Sequence, residues 1–271
     1  MVITLTTDFG FQDAYVAAMK GVILDINPKA VIVDICHSVQ PQNIGQAAFL
    51  LSTAYCYFPK ETIHVVVVDP EVGSQRRAIV LKAHEACFVA PDNGVLSYVV
   101  RDASDEGLFQ GGETTALPRG VEAVEIANPR FWRHPVSTTF HGRDIFAPVA
   151  AHLSLGIALQ ELGKAIASVR VLPLPRPHPT AEGALTGHVL HVDGFGNVIT
   201  NLRQQDLGVG ISRVQVGGRH VGLVGTTYAS AAPGQPVALI GSSGYLEIAV
   251  RDGSAASMLG VAVGDEVTVY T

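Results

Sequence analysis

Apolar positions in the first half of the chain fall into two alternating patterns. Val2–Thr6, Ala30–Ile35 and Ile63–Val68 are short, near-continuous apolar runs, as expected of strands buried on both faces of a parallel sheet. Between them, Asp13–Asp25 places Tyr15, Met19, Val22 and Ile23 on one helical face, and Asn43–Tyr57 does the same with Ile44, Ala47, Ala48 and Leu51. Ala78–Leu81 and Cys87–Val89 add strands, Pro91-Asp92-Asn93-Gly94 reads as a structural turn, and His141–Leu155 is a further helix opened by Gly142-Arg143-Asp144. This rhythm predicts an α/β domain with a mostly parallel central sheet covered by helices on both faces.

The pattern breaks at Leu172–Pro179, where four alternating prolines exclude helix and strand interiors and predict an extended linker. Beyond it the apolar runs are short and separated by glycines: Gly187–Val192, Val198–Asn201, Val214–Val216, Val237–Ile240, Leu246–Val250 and Glu266–Tyr270. No convincing helix intervenes, so the segment reads as a small all-β barrel. The expected organisation is an α/β domain over 1–171, a linker over 172–182 and a β-barrel domain over 183–271.

Composition supports a well-buried globular chain: 48% of the 271 residues are hydrophobic and 15% charged. A net charge of −6 without any basic run argues against a nucleic-acid partner. No apolar run reaches the roughly 18–20 residues of a membrane span, and the N-terminus lacks a signal-peptide pattern. Cys36, Cys56 and Cys87 are scattered, which reads as reduced, buried thiols of a cytoplasmic protein.

The polar residues that interrupt this pattern cluster at element ends. Asp8 follows the first strand and Asp69 the third, where α/β folds bind ligands. The segment after Asp69 carries Arg76 and Arg77; an extended chain sends neighbouring side chains to opposite faces, so one of the two is expected to meet Asp69. His141 precedes a helix start, an environment that favours a neutral imidazole able to accept a proton. His37 also ends a strand, with nothing around it to suggest an anion site. Asp193-Gly194-Phe195-Gly196-Asn197 is a glycine turn with an aromatic face for stacking and an amide able to read an adenine edge. Ser242-Ser243-Gly244-Tyr245 is a weaker candidate of the same kind. Each of these has a structural alternative: N-cap, ion pair, core histidine or hairpin turn. No HExxH, HxH or DxD spacing points to a metal, and none is expected.

Taken together the segments resemble the S-adenosyl-L-methionine (SAM) hydroxide adenosyltransferases, relatives of the fluorinase and chlorinase enzymes. The resemblance runs through Thr7-Asp8-Phe9-Gly10, Cys36-His37-Ser38-Val39, Val68-Asp69-Pro70 to Arg76, Pro91-Asp92-Asn93-Gly94, Phe140-His141-Gly142-Arg143-Asp144, Phe195-Gly196-Asn197-Val198 with Thr200-Asn201, and Leu246-Glu247-Ile248-Ala249-Val250. It implies hydrolysis of SAM to adenosine and L-methionine by water attack at C5′, without a cofactor. It also implies a homotrimer with sites between subunits. By motif position Asp69, Arg76 and His141 would handle the water. Asp8 would hold the ribose hydroxyls with Phe140 near the ribose, Asp193 and Ser242 the methionine part, and Phe195 and Asn197 the adenine. The halogenating relatives have Tyr at the position of Asp69 and lack the Arg and His. Two other readings are a halide-using adenosyltransferase and a non-catalytic adenosine- or SAM-binding protein. Three features depart from the family: Glu71 replaces a usual Gly between Asp69 and Arg76, the Asp193 turn is one residue shorter than in the fluorinase, and Ser243 replaces Arg.

Overall fold

The structure, a computed structural model, describes residues 1–104, 113–208, 210–222 and 224–270. It divides into two units, Met1–Leu174 and Pro175–Thr271, so the division falls inside the proline-rich segment.

In the first unit the elements run β1 (Val2–Thr7), α1 (Tyr15–Ile26), β2 (Val31–Cys36), α2 (Ile44–Ala54), β3 (Ile63–Val67), β4 (Ala78–Ala83), β5 (Ala86–Pro91), α3 (Ser97–Asp102), β6 (Thr114–Ala116), β7 (Glu122–Ile126), α4 (Ala147–Ser154), α5 (Leu159–Leu162), β8 (Gly163–Ala165) and β9 (Ser168–Arg170). The central sheet has the order β2-β1-β3-β5-β4-β7-β8, with β6 and β9 forming a separate ribbon. β2, β1, β3 and β5 are mutually parallel. β4, β7 and β8 extend the sheet antiparallel. The reversal at β4–β5 is a tight hairpin whose corner residues, His84 and Glu85, both have positive φ, the backbone that matches strand twist in a two-residue turn.

Two apolar layers flank the sheet. One joins Met19 and Ile23 of α1 to Phe146, Val149, Ala150 and Ala151; the other joins Ala47 and Leu51 of α2 to Phe88, Val99 and Val100. The small residues of α4 let that helix lie close on the sheet, and nearly all of it is buried. β3, with five buried residues, lies inside the sheet between β1 and β5. β2 differs from the expected buried strand: it is the sheet edge, its residues are exposed or half-buried, and Val31 is 54% exposed. An apolar run alone does not distinguish an edge from a centre. Tyr15 is likewise half-exposed, and the buried face of α1 is Val16, Met19 and Ile23. Cys56 is exposed in the one-turn 3-10 helix after α2, while Cys36 and Cys87 are half-buried, so the cysteines are free thiols without being core residues.

The second unit contains β10 (His178–Pro179), β11 (Leu185–Val192), β12 (Val198–Arg203), β13 (Arg213–Val216), β14 (Arg219–Val221), β15 (Pro236–Ile240), β16 (Tyr245–Val250), α6 (Ala255–Leu259) and β17 (Glu266–Tyr270). Its antiparallel strands follow the order β14-β13-β17-β11-β12-β16-β15. Gly225 N–H donates to Ala238 O at 2.8 Å, so the chain leaving β14 meets β15 and the sheet nearly closes into a barrel around Val198, Leu202, Val214, Leu246, Ile248 and Val267. The short helix α6 corrects the expectation of no helix; Ser254 caps it by accepting from Ser257 N–H, and Gly260 ends it in a left-handed conformation. No described helix is long and apolar enough to cross a membrane.

His64 of β3 ties the core to pH. Its ring is buried, stacks on Phe88 at 5.0 Å and lies 2.8 Å from Thr4 Oγ1. Burial pushes its pKa down to about 4. An unfolded histidine takes its proton near pH 6.5, whereas the folded ring resists until about pH 4, so stability falls as pH drops through that window. Unfolding in urea should show about 2 kcal/mol less stability from this group at about pH 5 than at about pH 7.5. His64→Leu should remove that slope; an unchanged pH dependence in the variant would assign it elsewhere.

Candidate active site

The parallel register aligns Thr7 with Val67, so Asp8 and Asp69 leave the carboxyl ends of two neighbouring strands, the usual ligand position of such sheets. A cavity of about 360 Å³ opens there, lined by Asp8, Phe9, Tyr15, Gln42, Val67, Asp69, Pro70, Val72, Thr139, Phe140, His141 and Gly142. Its volume lies within the roughly 300–1,000 Å³ of small-molecule sites.

The cavity wall at Asp69 is one half of a buried ion pair. Arg76 Nε donates to Asp69 Oδ1 at 2.9 Å and Oδ2 at 3.0 Å, and Arg76 Nη2 donates to Asp69 Oδ2 and, at 2.8 Å, to His141 Nδ1. The Arg76 and Asp69 side chains are 3% and 4% exposed. The guanidinium also faces the Phe146 ring, 5.3 Å from its centroid. Arg77 turns the other way, as alternation requires, to Asp92 and the Ser168 carbonyl. A guanidinium has only donors, so His141 Nδ1 must accept and the imidazole is neutral with its proton on Nε2. The electrostatics agree: burial, then the Arg76 cation, hold the His141 pKa below its ordinary value, against the opposing pull of Asp69 and Asp144. This corrects the sequence reading of His141 as a proton acceptor: its one basic nitrogen is already occupied, and its free nitrogen is a donor.

The surrounding loops fix these groups. Gly73 has φ +80°, and any Cβ there would run into the Thr138 carbonyl oxygen, so the Asp69–Arg76 loop packs backbone to backbone on the segment that leads to His141. Glu71 points away, to Arg170 Nη1 at 3.0 Å; the departure from the family at this position is absorbed by a surface ion pair. Asn93 Nδ2 donates to Val68 O at 2.9 Å and so holds the strand end bearing Asp69. His141 immediately precedes a π-helical turn, Gly142–Phe146, that runs into α4. Gly142 packs among Met19, Phe9 and Phe140. Phe140 meets Tyr15 and Phe9 edge to face at 5.2 and 5.8 Å.

Some functional neighbours carry little sequence signal. Gln42 lines the cavity and donates its backbone N–H to Asp8 Oδ2 at 2.8 Å from a left-handed conformation; a non-glycine residue gives no hint of that backbone. Asp144 is fully buried, accepts from Arg143 Nε at 2.7 Å and Ser137 N–H at 2.9 Å, and anchors the loop before Phe140. Its place in the His141–Asp144 motif was the available clue.

The remaining candidates belong to the second unit. Asp193 Oδ1 accepts from the N–H groups of Phe195 and Asn197, both at 2.9 Å, and Asp193 Oδ2 from Asn197 Nδ2 at 3.0 Å. The turn is therefore rigid, and it presents Phe195 at 83% exposure. Asn197 itself is buried at its base. Ser242 is exposed on the turn between β15 and β16. Gly241 in that turn packs against the Glu247 carboxylate, which accepts from Tyr228 O–H at 2.7 Å.

Known proteins match both units in order. The model of the SAM hydroxide adenosyltransferase N-terminal domain matches residues 3–163, and that of the C-terminal domain residues 187–268. The chain belongs to this family. Among its relatives, an (R)-S-adenosyl-L-methionine hydrolase of Salinispora tropica is 38% identical over 98% of this chain and 97% of its own. One of Thermus thermophilus is 38% identical over 95% of each. A fluorinase of Nocardia brasiliensis is more distant, at 28% identity over 99% of this chain and 96% of its own. The structure of an uncharacterized conserved protein from Thermotoga maritima superposes with a TM-score of 0.88 at 38% identity, covering 100% of both chains. The hydroxide adenosyltransferase family therefore accounts for both units of the chain.

Proposed function

We propose that this chain is an enzyme that hydrolyses SAM to adenosine and L-methionine, water attacking C5′ of the ribose. The observation that carries the reading is the buried Asp69–Arg76–His141 set at the wall of a cavity that also holds Asp8. The water oxygen forms a bond to C5′, and the C5′–S bond breaks with its electron pair passing to sulfur. Methionine leaves as a neutral thioether, so no general acid and no cofactor is required, and one proton is lost from the water.

That proton sets the roles. Water is a far weaker acid than a protonated carboxylate, and the gap is too large for free hydroxide to form first. The proton leaves as the C–O bond forms, when the oxygen becomes acidic. Asp69, an anion lining the cavity, receives it. His141 donates its Nε2–H and orients the oxygen. Arg76 lies behind both, fixes the His141 tautomer and holds the Asp69 carboxylate in place.

The other assignments rest on motif position and fit the local chemistry. Asp8 accepts from the ribose hydroxyls and Phe140 packs near the ribose. Phe195, exposed on a rigid turn, stacks on adenine, which Asn197 reads with Oδ1 and its second Nδ2 proton. Asp193 and Ser242 face the methionine part. We place the second-unit residues against the first-unit cavity of a neighbouring subunit in a homotrimer working in the cytoplasm, without nucleic acid or membrane partners.

Incubation with SAM in ¹⁸O-water tests the reaction. Adenosine carrying the label at its 5′-hydroxyl is expected, with no 5′-halo-adenosine when chloride or fluoride is added. Binding of SAM by calorimetry without turnover would overturn the enzymatic reading, and unlabelled adenosine would overturn water attack at C5′.

A further inference from the structure

His37 lines no part of the cavity, and the mechanism does not use it. Its side chain is fully buried, at the end of the edge strand β2. Nδ1 lies 2.8 Å from Thr7 Oγ1, and Nε2 lies 3.0 Å from Asp34 Oδ1. Asp34 is fixed in turn by Lys20 Nζ on α1, at 2.6 Å from Oδ2. The same histidine accepts from Gly10 N–H through its backbone carbonyl at 2.7 Å. Thr7 Oγ1 also accepts from Phe9 N–H at 3.2 Å. One residue therefore grips both ends of the four-residue loop Thr7-Asp8-Phe9-Gly10: its ring holds Thr7 and its carbonyl holds Gly10. Two side chains of that loop, Asp8 and Phe9, line the cavity. The Phe11 ring covers the imidazole edge to face at 5.0 Å, which keeps water from competing for these bonds.

We propose that His37 is a positioning residue for substrate capture, acting through Thr7 to set the Asp8 carboxylate where the ribose hydroxyls arrive. A surface loop after a strand is otherwise free to move by an ångström or more, and misplacement of that size is enough to weaken a hydrogen bond steeply. The inference rests on the ribose-binding role given to Asp8. It predicts a loss in KM and not in the chemical step, because Asp69, Arg76 and His141 sit on other segments.

The experiment compares steady-state hydrolysis of SAM by the full-length protein and its variants. His37→Leu and Thr7→Val each remove the bond from one side, and Thr7→Val keeps the shape of the side chain. Both should raise KM by about 10–100-fold, the range for losing a well-placed hydrogen bond to a charged group, with kcat within about threefold. His37→Asn, whose amide reaches the position of Nδ1, should recover much of the loss. In an Asp8→Ala background neither substitution should raise KM further, since their effect passes through Asp8. Should His37→Leu fail to fold, Thr7→Val alone decides. Wild-type KM in Thr7→Val, a fall in kcat instead, or full additivity with Asp8→Ala would each overturn the role of His37 while the hydrolase reading stands. A wild-type protein that makes no adenosine would overturn both.

Discussion

Replacing Asp69 with Asn is expected to cut adenosine formation by about 10²–10⁴-fold, the usual contribution of a positioned base, while SAM affinity changes by only a few-fold. Asn has nearly the shape of Asp and can keep one bond from Arg76, so the cavity wall survives. It cannot take the proton lost as the oxygen bonds to C5′, and it no longer balances the Arg76 cation, whose side chain is 3% exposed. Asp69→Ala is the less informative variant, because an unpaired buried guanidinium adds a folding defect of about 3–5 kcal/mol to the catalytic one. The measurement is kcat and KM for SAM beside calorimetric affinity. A turnover within threefold of wild type would remove Asp69 from the proton path. A loss confined to KM would make it a binding residue.

The parts of this molecule that could be read from its sequence are those where a residue's type already limits its surroundings. Val65 and its neighbours in β3 can only be buried, and the alternation of Arg76 and Arg77 lets only one of them meet Asp69, although the partner of the other, Asp92, came from the structure. The edge position of β2 was not legible, because register and neighbours, not composition, decide which apolar strand lies outside. The role of His141 was half legible. Its place before a helical turn points to a neutral ring, but which nitrogen is free depends on Arg76, 65 residues away in sequence. Gln42 and Asp144 were missed for the same reason: one acts through backbone geometry and the other through loops that meet in space. Asp193 takes the structural part the sequence offered for its turn, since its bonds to the Phe195 and Asn197 N–H groups hold the turn that presents the exposed Phe195.

Arg76 should prove as demanding as Asp69, for a different reason. Its fork meets two acceptors at once, the Asp69 carboxylate and His141 Nδ1. Arg76→Met removes the cation and leaves the Asp69 carboxylate buried without a partner, so urea unfolding should report a loss of about 3–5 kcal/mol. Arg76→Lys keeps the charge but replaces a planar fork with a compact ammonium on a shorter stem, which cannot reproduce the fork's geometry towards both partners. That variant should fold, and its kcat should fall by about 10²-fold, the low end for disturbing a general-base arrangement. The cause is specific. Without the Arg76 donor, His141 is free to carry its proton on Nδ1, which turns a lone pair in place of an N–H towards the attacking oxygen. In Arg76→Met the imidazole also loses the cation that helps depress its pKa, so its titration followed by NMR should move upwards. Burial, the larger cause, still holds the ring below an exposed histidine. Wild-type kcat in Arg76→Lys would mean that charge alone suffices and that the tautomer of His141 is set by something other than the guanidinium.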